Sequence, residues 1–180
     1  MAKEDLVVLR DALRQTILRD LRSLEREIAA YPDDASLWLT PGGISNSAGN
    51  LALHIVGNLR HFVGSGLANS GYVRNRDAEF SKKDLSRDEV RSEVAQAINE
   101  MESAFDQIDA SQLRSAYPLP IGERTILTAD WLTHLAVHLT YHLGQIDYHR
   151  RLLTPNPKAV DAVSVPELKS YDDRQRENAR

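Results

Sequence analysis

Apolar residues recur every three or four positions through four long stretches of the chain, and each stretch predicts a helix. The first runs from about Glu4 to Tyr31. Leu6, Leu9, Leu13, Ile17, Leu21, Leu24, Ile28 and Tyr31 form one stripe, with Arg10, Arg14, Arg19, Arg22 and Glu25 between them. It reads as an amphipathic helix with one buried face, ended by Pro32-Asp33-Asp34. The following residues to Asn46 read as a loop with turn chemistry at Pro41-Gly42-Gly43, pinned to the core by Leu37, Trp38 and Leu39. A second helix is expected from about Ser47 to Leu67, with Ser45 or Asn46 as N-cap and Gly64 and Gly66 weakening its end.

The third helix has the clearest start. Ser86 and Glu89 form a capping box, and Leu85 and Val90 a hydrophobic staple. Val90, Val94, Ala97, Ile98, Met101, Phe105 and Ile108 give it a buried stripe that should end near Asp109. The fourth helix runs from about Thr128 to Leu153 and is stopped by Pro155 and Pro157. Between these segments lie a long polar link, Ala68 to Lys83, and the stretch Ser111 to Thr125, where Pro118 and Pro120 exclude a helix interior. No alternating strand pattern occurs. The expected architecture is an all-α four-helix bundle over residues 1–155, followed by a polar tail, 156–180. Val160, Val163, Val165 and Leu168 are expected to dock that tail on the body, and its last dozen residues are expected to be mobile.

Two of the helices carry a polar line that a core or a solvated face does not require. On the fourth, at roughly 100° per residue, His134 and His142 lie about 40° to either side of His138, with Gln145 and His149 within about 20°. On the second, Asn50, His54, Asn58 and His61 fall within about 40° of His54. These two lines contain all six histidines. Histidines at i and i+4 can share one metal ion. His134 and His142 are about 12 Å apart along the helix, so the chelating pair is either His134/His138 or His138/His142. A third ligand must come from another helix, where His54 and His61 are available. Three neutral imidazoles leave room for water and substrate, as a catalytic site requires.

Composition narrows this chemistry. The chain has 180 residues, 42% hydrophobic and 27% charged, as in an ordinary globular domain. It has no cysteine, which excludes thiolate ligands, disulfides and a cysteine nucleophile, and fits a cytoplasmic chain. A metal must then sit on nitrogen or oxygen, which leaves zinc, nickel, iron and manganese. The net charge of −4 argues against a dedicated nucleic-acid surface. The start, Met1-Ala2-Lys3-Glu4-Asp5, lacks the features of a signal peptide, and no run approaches the roughly 20 apolar residues that span a membrane.

The segment His138-Leu-Thr-Tyr-His142-Leu-Gly144-Gln145-Ile146 resembles the H-x-x-x-H-x-G-Q signature of the DinB/YfiT-like superfamily of metalloenzymes. Asn50-Leu-Ala-Leu-His54-Ile-Val-Gly-Asn58 resembles its first histidine motif, and Arg74-Asn75-Arg76-Asp77-Ala78-Glu79-Phe80 resembles an R-x-R-D-x-E-F segment of one branch. The likeness covers roughly residues 5 to 153, with three motifs in order. It implies a four-helix bundle of up-down-down-up connectivity, one divalent ion held by His54, His138 and His142, and a homodimer. The long Ala68–Lys83 link suits the parallel step between helices two and three. Members with known activity are thiol S-transferases and a thiol-dependent isomerase. Many relatives carry histidine or arginine near the positions of Tyr141 and Leu143, where this chain departs from them.

Other side chains have expected supporting roles. Asn50 and Asn58, one turn to either side of His54, would orient its imidazole, hydrogen-bond substrate, or satisfy each other along a cavity. Gln145 would hold a metal-bound water, and Gly144 would permit close helix approach. His134 and His61 are candidates for general base or proton relay, and Tyr141 for a hydrogen-bond donor near the ion. Arg74 and Arg76 either clamp an anionic substrate or pair with Asp77 and Glu79 to order their loop. His149 reads as structural, a cation near the helix C-terminus, and Trp131 as core. The expected function is hydrolysis or S-transfer on a small molecule, with a cellular thiol as candidate co-substrate. The alternative is a non-catalytic dimeric stress-response or binding module with a structural or incidental metal.

Overall fold

The structure is a computed structural model that describes residues 3–169 together with Asp173 and Arg176. The expected mobility of the tail's end falls on positions mostly outside these residues. The chain is all-α: among the described residues the only β pairing is two isolated bridges, Ala116 with Leu127 and Ile121 with Arg124.

Helix α1 spans Lys3–Ala29 and buries the predicted stripe from Leu6 to Ile28 except for Leu9, which is partly buried. It also buries Arg19, Asp20, Ser23 and Glu27, a second face that the sequence pattern assigned to solvent. The reason is packing on two sides, because α1 lies against both α6 (Arg87–Gln107) and α7 (Thr128–Leu153). Each buried ion there has a partner. Arg19 Nε donates to Asp20 at 2.7 Å, and Thr140 Oγ1 donates to the same carboxylate at 2.5 Å. Arg150, fully buried on α7, pairs with Glu27.

A short helix α2, Asp34–Leu37, is capped by Asp33. Leu37 is buried, and Trp38 Nε1 donates to the Leu85 carbonyl at 2.8 Å, so these two residues pin the loop as expected. The Leu39 side chain does not, being half exposed; its carbonyl instead accepts from His149 Nε2.

Helix α3, Ala48–Leu59, is buried at every position and packs on α6 and α7. Its N-cap is Ser47, whose hydroxyl accepts from Asn50 N, rather than Ser45 or Asn46. From Arg60 to Ser65 the helix widens into a π-turn, then closes as α4, Gly66–Ala68. Tyr117 donates its hydroxyl to the Phe62 carbonyl at 2.6 Å, and the absence of a side chain at Gly66 leaves space for that hydroxyl. Gly66 therefore admits a partner for a widened turn rather than ending the helix.

The link to α6 contains one more helix, α5, Arg76–Ser81, capped by Asn75. The capping box of Ser86 and Glu89 is present at the start of α6. The tail docks, but not through three of the four predicted apolar side chains: Val163, Val165 and Leu168 are 44%, 74% and 37% exposed, and only Val160 is partly buried. Arginines of the body hold its backbone instead. Arg26 donates to the Val160 and Asp161 carbonyls, and Arg150 to those of Asn156 and Lys158. No helix among the described residues is long and apolar enough to cross a membrane.

Candidate metal centre

Where α3 packs on α7, the polar line of one meets the polar line of the other. His54 on α3 places Nε2 3.4 Å from His138 Nε2 on α7, and His142 Nε2, one turn further along α7, lies 3.0 Å from the same atom. Ligand atoms of all three lie within 4.8 Å of one another, the only such group among the described residues. Two nitrogens bound at the usual zinc distance in a tetrahedral site stand about 3.3 to 3.4 Å apart. The His54–His138 separation matches that spacing, and the His138–His142 separation is a few tenths of an ångström shorter.

The far side of each of two rings fixes its tautomer. His54 Nδ1 lies 2.9 Å from Glu79 Oε2, and a carboxylate only accepts, so Nδ1 carries the proton and Nε2 keeps its lone pair. His142 Nδ1 lies 2.7 Å from Gln145 Oε1 and is protonated for the same reason. Both imidazoles thus present a free Nε2 toward His138. Burial, followed by the neighbouring His142, His54, His134 and Arg74, pushes the His138 pKa down to about 4. Burial also lowers that of His142, against the hydrogen bond that its Nδ1 donates to Gln145. His138 is therefore neutral at pH 7, the state a metal ligand requires.

Glu79 pairs with Arg74, as one of the two sequence readings of that loop has it, but its contact with His54 was missed by sequence reasoning. Its carboxylate is buried, which by itself would raise its pKa; hydrogen bonds from Arg74 and His54 outweigh that and hold it below the usual range. Arg74 grips both oxygens, at 2.7 and 2.8 Å. Arg74 Nη2 also lies 3.2 Å from His54 Nδ1; both are donors, and Glu79 is the acceptor they share. Glu79 lies on α5, away from the two polar lines, so periodicity could not find it. One trace was present in the sequence: Gly57, a turn after His54, where any Cβ would collide with the Glu79 carboxylate.

The remaining candidates separate. Asn50 does not touch an imidazole. Its Nδ2 donates to the Glu79 and Lys82 carbonyls at 2.9 and 2.8 Å, and its Oδ1 accepts from Ser47, so it anchors the end of α5 that carries Glu79. Asn58 is buried, and its Oδ1 finds no hydrogen-bond partner among the described residues. Gln145 engages His142 directly. Of the two arginines, Arg74 is committed to Glu79, whereas Arg76 is exposed and lies 5.1 Å over the ring of Phe80, itself 5.1 Å from His54.

His61 is not in the ligand group. It sits on the π-turn, where 100° per residue no longer applies and the line drawn through His54 fails. Its Nδ1 is buried without a partner, and burial lowers its pKa, helped by the Arg74 charge. His134 is exposed and stacked between Trp131, at 4.9 Å, and His138, at 5.8 Å. Trp131 is half-buried rather than fully core. Tyr141 is 62% exposed, its ring 5.3 Å from that of His142. Gly144 allows no close approach within the chain, since nothing lies within 4 Å of where its Cβ would be.

His149 is structural, for a different reason than its position suggested. It is buried, burial lowers its pKa, and it is a neutral bridge rather than a cation. Its Nε2 donates to the Leu39 carbonyl at 2.8 Å, and its Nδ1 accepts from the Tyr31 hydroxyl at 2.7 Å.

The arrangement offers three converging nitrogen donors, two of them oriented from behind, with no carboxylate among them. A divalent ion of borderline softness suits such a donor set. The model of a family described as a protein of unknown function, DUF1572, matches residues 5–168. No curated protein and no solved structure matches the chain.

Proposed function

The chain belongs to the DUF1572 family, proteins of unknown function, and from that starting point we propose that it is a divalent-metal-dependent enzyme acting on a small molecule. We place it with the DinB/YfiT-like superfamily on the His54 and His138–Gln145 motifs. The packing of α1 and α3 each on α6 and α7 supports a four-helix bundle, with the up-down-down-up connectivity which that likeness implies.

The observation that carries the proposal is the convergence of the His54, His138 and His142 Nε2 atoms. These three residues would hold the ion, with zinc, nickel, iron and manganese as candidates. Bound there, a divalent ion supplies a Lewis acid that lowers the pKa of a water or thiol for hydrolysis or S-transfer. The chain's own residues do the rest. Glu79 and Gln145 fix the two rings, Arg74 keeps Glu79 ionised, and Asn50 holds α5 in place. Three protein nitrogens do not complete the shell of such an ion, as a catalytic site requires. Arg76, exposed above Phe80, is placed to meet an anionic group on the substrate. His134, next to His138, and Tyr141, next to His142, are the candidates for proton transfer and hydrogen bonding.

One observation favours the alternative, a non-catalytic binding or stress-response module with a structural metal. The carboxylate nearest the cluster, Glu79, is spent on Arg74 and His54 and is not free as a general base. Metal analysis of protein purified without a polyhistidine tag tests the centre. About one equivalent per chain is expected, lost in His138→Ala; equal content in both proteins removes the assignment. A screen of electrophiles with cellular thiols, and of hydrolysable esters and amides, then separates the two readings. Turnover abolished by a chelator and restored by the ion supports the enzyme, and loaded protein inert throughout supports the module.

A further inference from the structure

The π-turn at Arg60–Ser65 sets Phe62 against Trp131, near the start of α7. Widened turns of this kind are rare and frequent at functional sites, and Tyr117 holds this one through the Phe62 carbonyl. From the turn, ring touches ring as far as the metal centre. His61 lies 4.7 Å from Phe62, Phe62 5.1 Å from Trp131, Trp131 4.9 Å from His134, and His134 5.8 Å from the ligand His138. The Trp131 and His134 rings are stacked at 15°. His134 is exposed, and His61, Phe62 and Trp131 are partly so. Residues 131–146 contain no Asp, Glu, Lys or Arg, and the guanidinium that lies over Phe62, that of Arg74, is already paired with Glu79. The result is an aromatic wall beside the metal centre.

Two buried polar atoms stand unpaired along the same stretch. Asn58 follows His54 by one turn of α3 and is 8% exposed, and its Oδ1 has no hydrogen-bond partner among the described residues. The Nδ1 of His61, one turn further, is in the same condition. Burial, helped by the Arg74 charge, lowers the His61 pKa, so the ring is neutral at pH 7; with its proton on Nε2, its Nδ1 is a second acceptor. Leaving a buried acceptor unpaired costs free energy. A site that does so until its ligand arrives favours a ligand bearing donors and rejects analogues that lack them.

We propose that this part of the α3–α7 junction is a substrate subsite for a flat aromatic ring that carries an amide or amino N–H group. The ring packs on Trp131 and His134, and Phe62, edge-on to Trp131 at 84°, bounds it on the side of the π-turn. The N–H group donates to Asn58 Oδ1 and His61 Nδ1, supplying the partners that the protein does not. His134 joins the subsite to His138, so a substrate held there extends toward the ion. Among small molecules open to attack by an activated water, this favours aryl amides. The catalytic meaning of the subsite rests on the metal-dependent reading given above; its existence does not, because none of its residues is a proposed ligand of the ion.

The test uses the full chain labelled with fluorotryptophan. Its two tryptophans, Trp38 and Trp131, give two fluorine resonances, which Trp131→Phe assigns. Benzamide is the probe, on metal-free and on zinc-loaded protein. It should move the Trp131 resonance saturably, with a Kd of about 1 mM or below for a fragment of this size, and leave that of Trp38 in place. Toluene, which lacks the amide, and cyclohexanecarboxamide, which lacks the aromatic ring, should each bind about tenfold more weakly. Asn58→Leu should bring benzamide down to the level of toluene, and His134→Ala, at an exposed position, should weaken benzamide about fivefold. An unmoved Trp131 resonance overturns the proposal, as do equal affinities for the three compounds, or two variants that bind benzamide as wild type does. Benzamide binding by a protein that takes up no zinc keeps the subsite and removes the metal-dependent reading; zinc uptake without benzamide binding does the reverse.

Discussion

The Glu79 carboxylate accepts a hydrogen bond from His54 Nδ1 at 2.9 Å, from a short helix within the polar link that follows α4. A ligand histidine held in this way keeps its tautomer and its aim. Glu79→Ala should therefore weaken zinc binding about 10- to 100-fold, the usual cost of losing such a partner. Competition with a chromophoric chelator measures it, and an unchanged dissociation constant would show that His54 needs no support.

Gly57 makes that contact possible, and its replacement separates two opposing effects. In an ordinary helix interior Gly→Ala gains about 1 kcal/mol of helix propensity. Here the added Cβ meets the Glu79 carboxylate. Gly57→Ala should thus lower zinc affinity, whatever it does to thermal stability. Full affinity in a correctly folded variant contradicts the placement of Glu79.

Acid should destabilise the metal-free protein through His138. In the unfolded chain a histidine titrates near 6.5, whereas burial pushes His138 down to about 4 in the fold. Between those values the unfolded state binds the extra proton, so folding stability falls as pH drops from about 6.5 to about 4, and the term is absent above 6.5. Urea midpoints of wild type and His138→Gln, compared at pH 7.5 and 5, isolate it because the other groups cancel. The loss on acidification should be larger in wild type; equal losses would mean that His138 is solvated.

Arg150 and Glu27 are both fully buried and bonded to each other. Removing Glu27 takes away the Nε partner of the buried guanidinium and leaves it Asp147, at 3.2 Å, and the Asn156 and Lys158 carbonyls, so Glu27→Ala should cost about 1.5 to 3 kcal/mol in urea denaturation. A cost below about 1 kcal/mol would indicate that water reaches Arg150.

Much of this architecture was legible because it is periodic. The stripes of α1 and α6, the capping box at Ser86 and the span of α7 follow from local spacing alone. The histidines on α3 and α7 were also legible, since two lines at helical spacing must face something. What was not legible depends on contacts between distant segments. The face of α1 that holds Asp20 and Glu27 looks solvated until α7 supplies Thr140 and Arg150. The π-turn at Arg60 has its partner in Tyr117, far along the chain, and it takes His61 off the line. Glu79 sits on a six-residue helix whose place is set by Asn50, a polar residue read as a neighbour of the imidazole.

Between Asn156 and Asp161 the grip of Arg26 and Arg150 falls on carbonyl oxygens, which every amino acid supplies, and only further on does Arg26 hold a side chain, that of Glu167 at 2.8 Å. The side chains of residues 156–161 can therefore drift during evolution without loosening this part of the strap. What selection must preserve is length: one residue inserted or deleted between Asn156 and Asp161 would put the carbonyls out of step with two fixed guanidinium groups. A comparison of related chains should then find this stretch poor in identity and strict in spacing, the reverse of an ordinary surface loop.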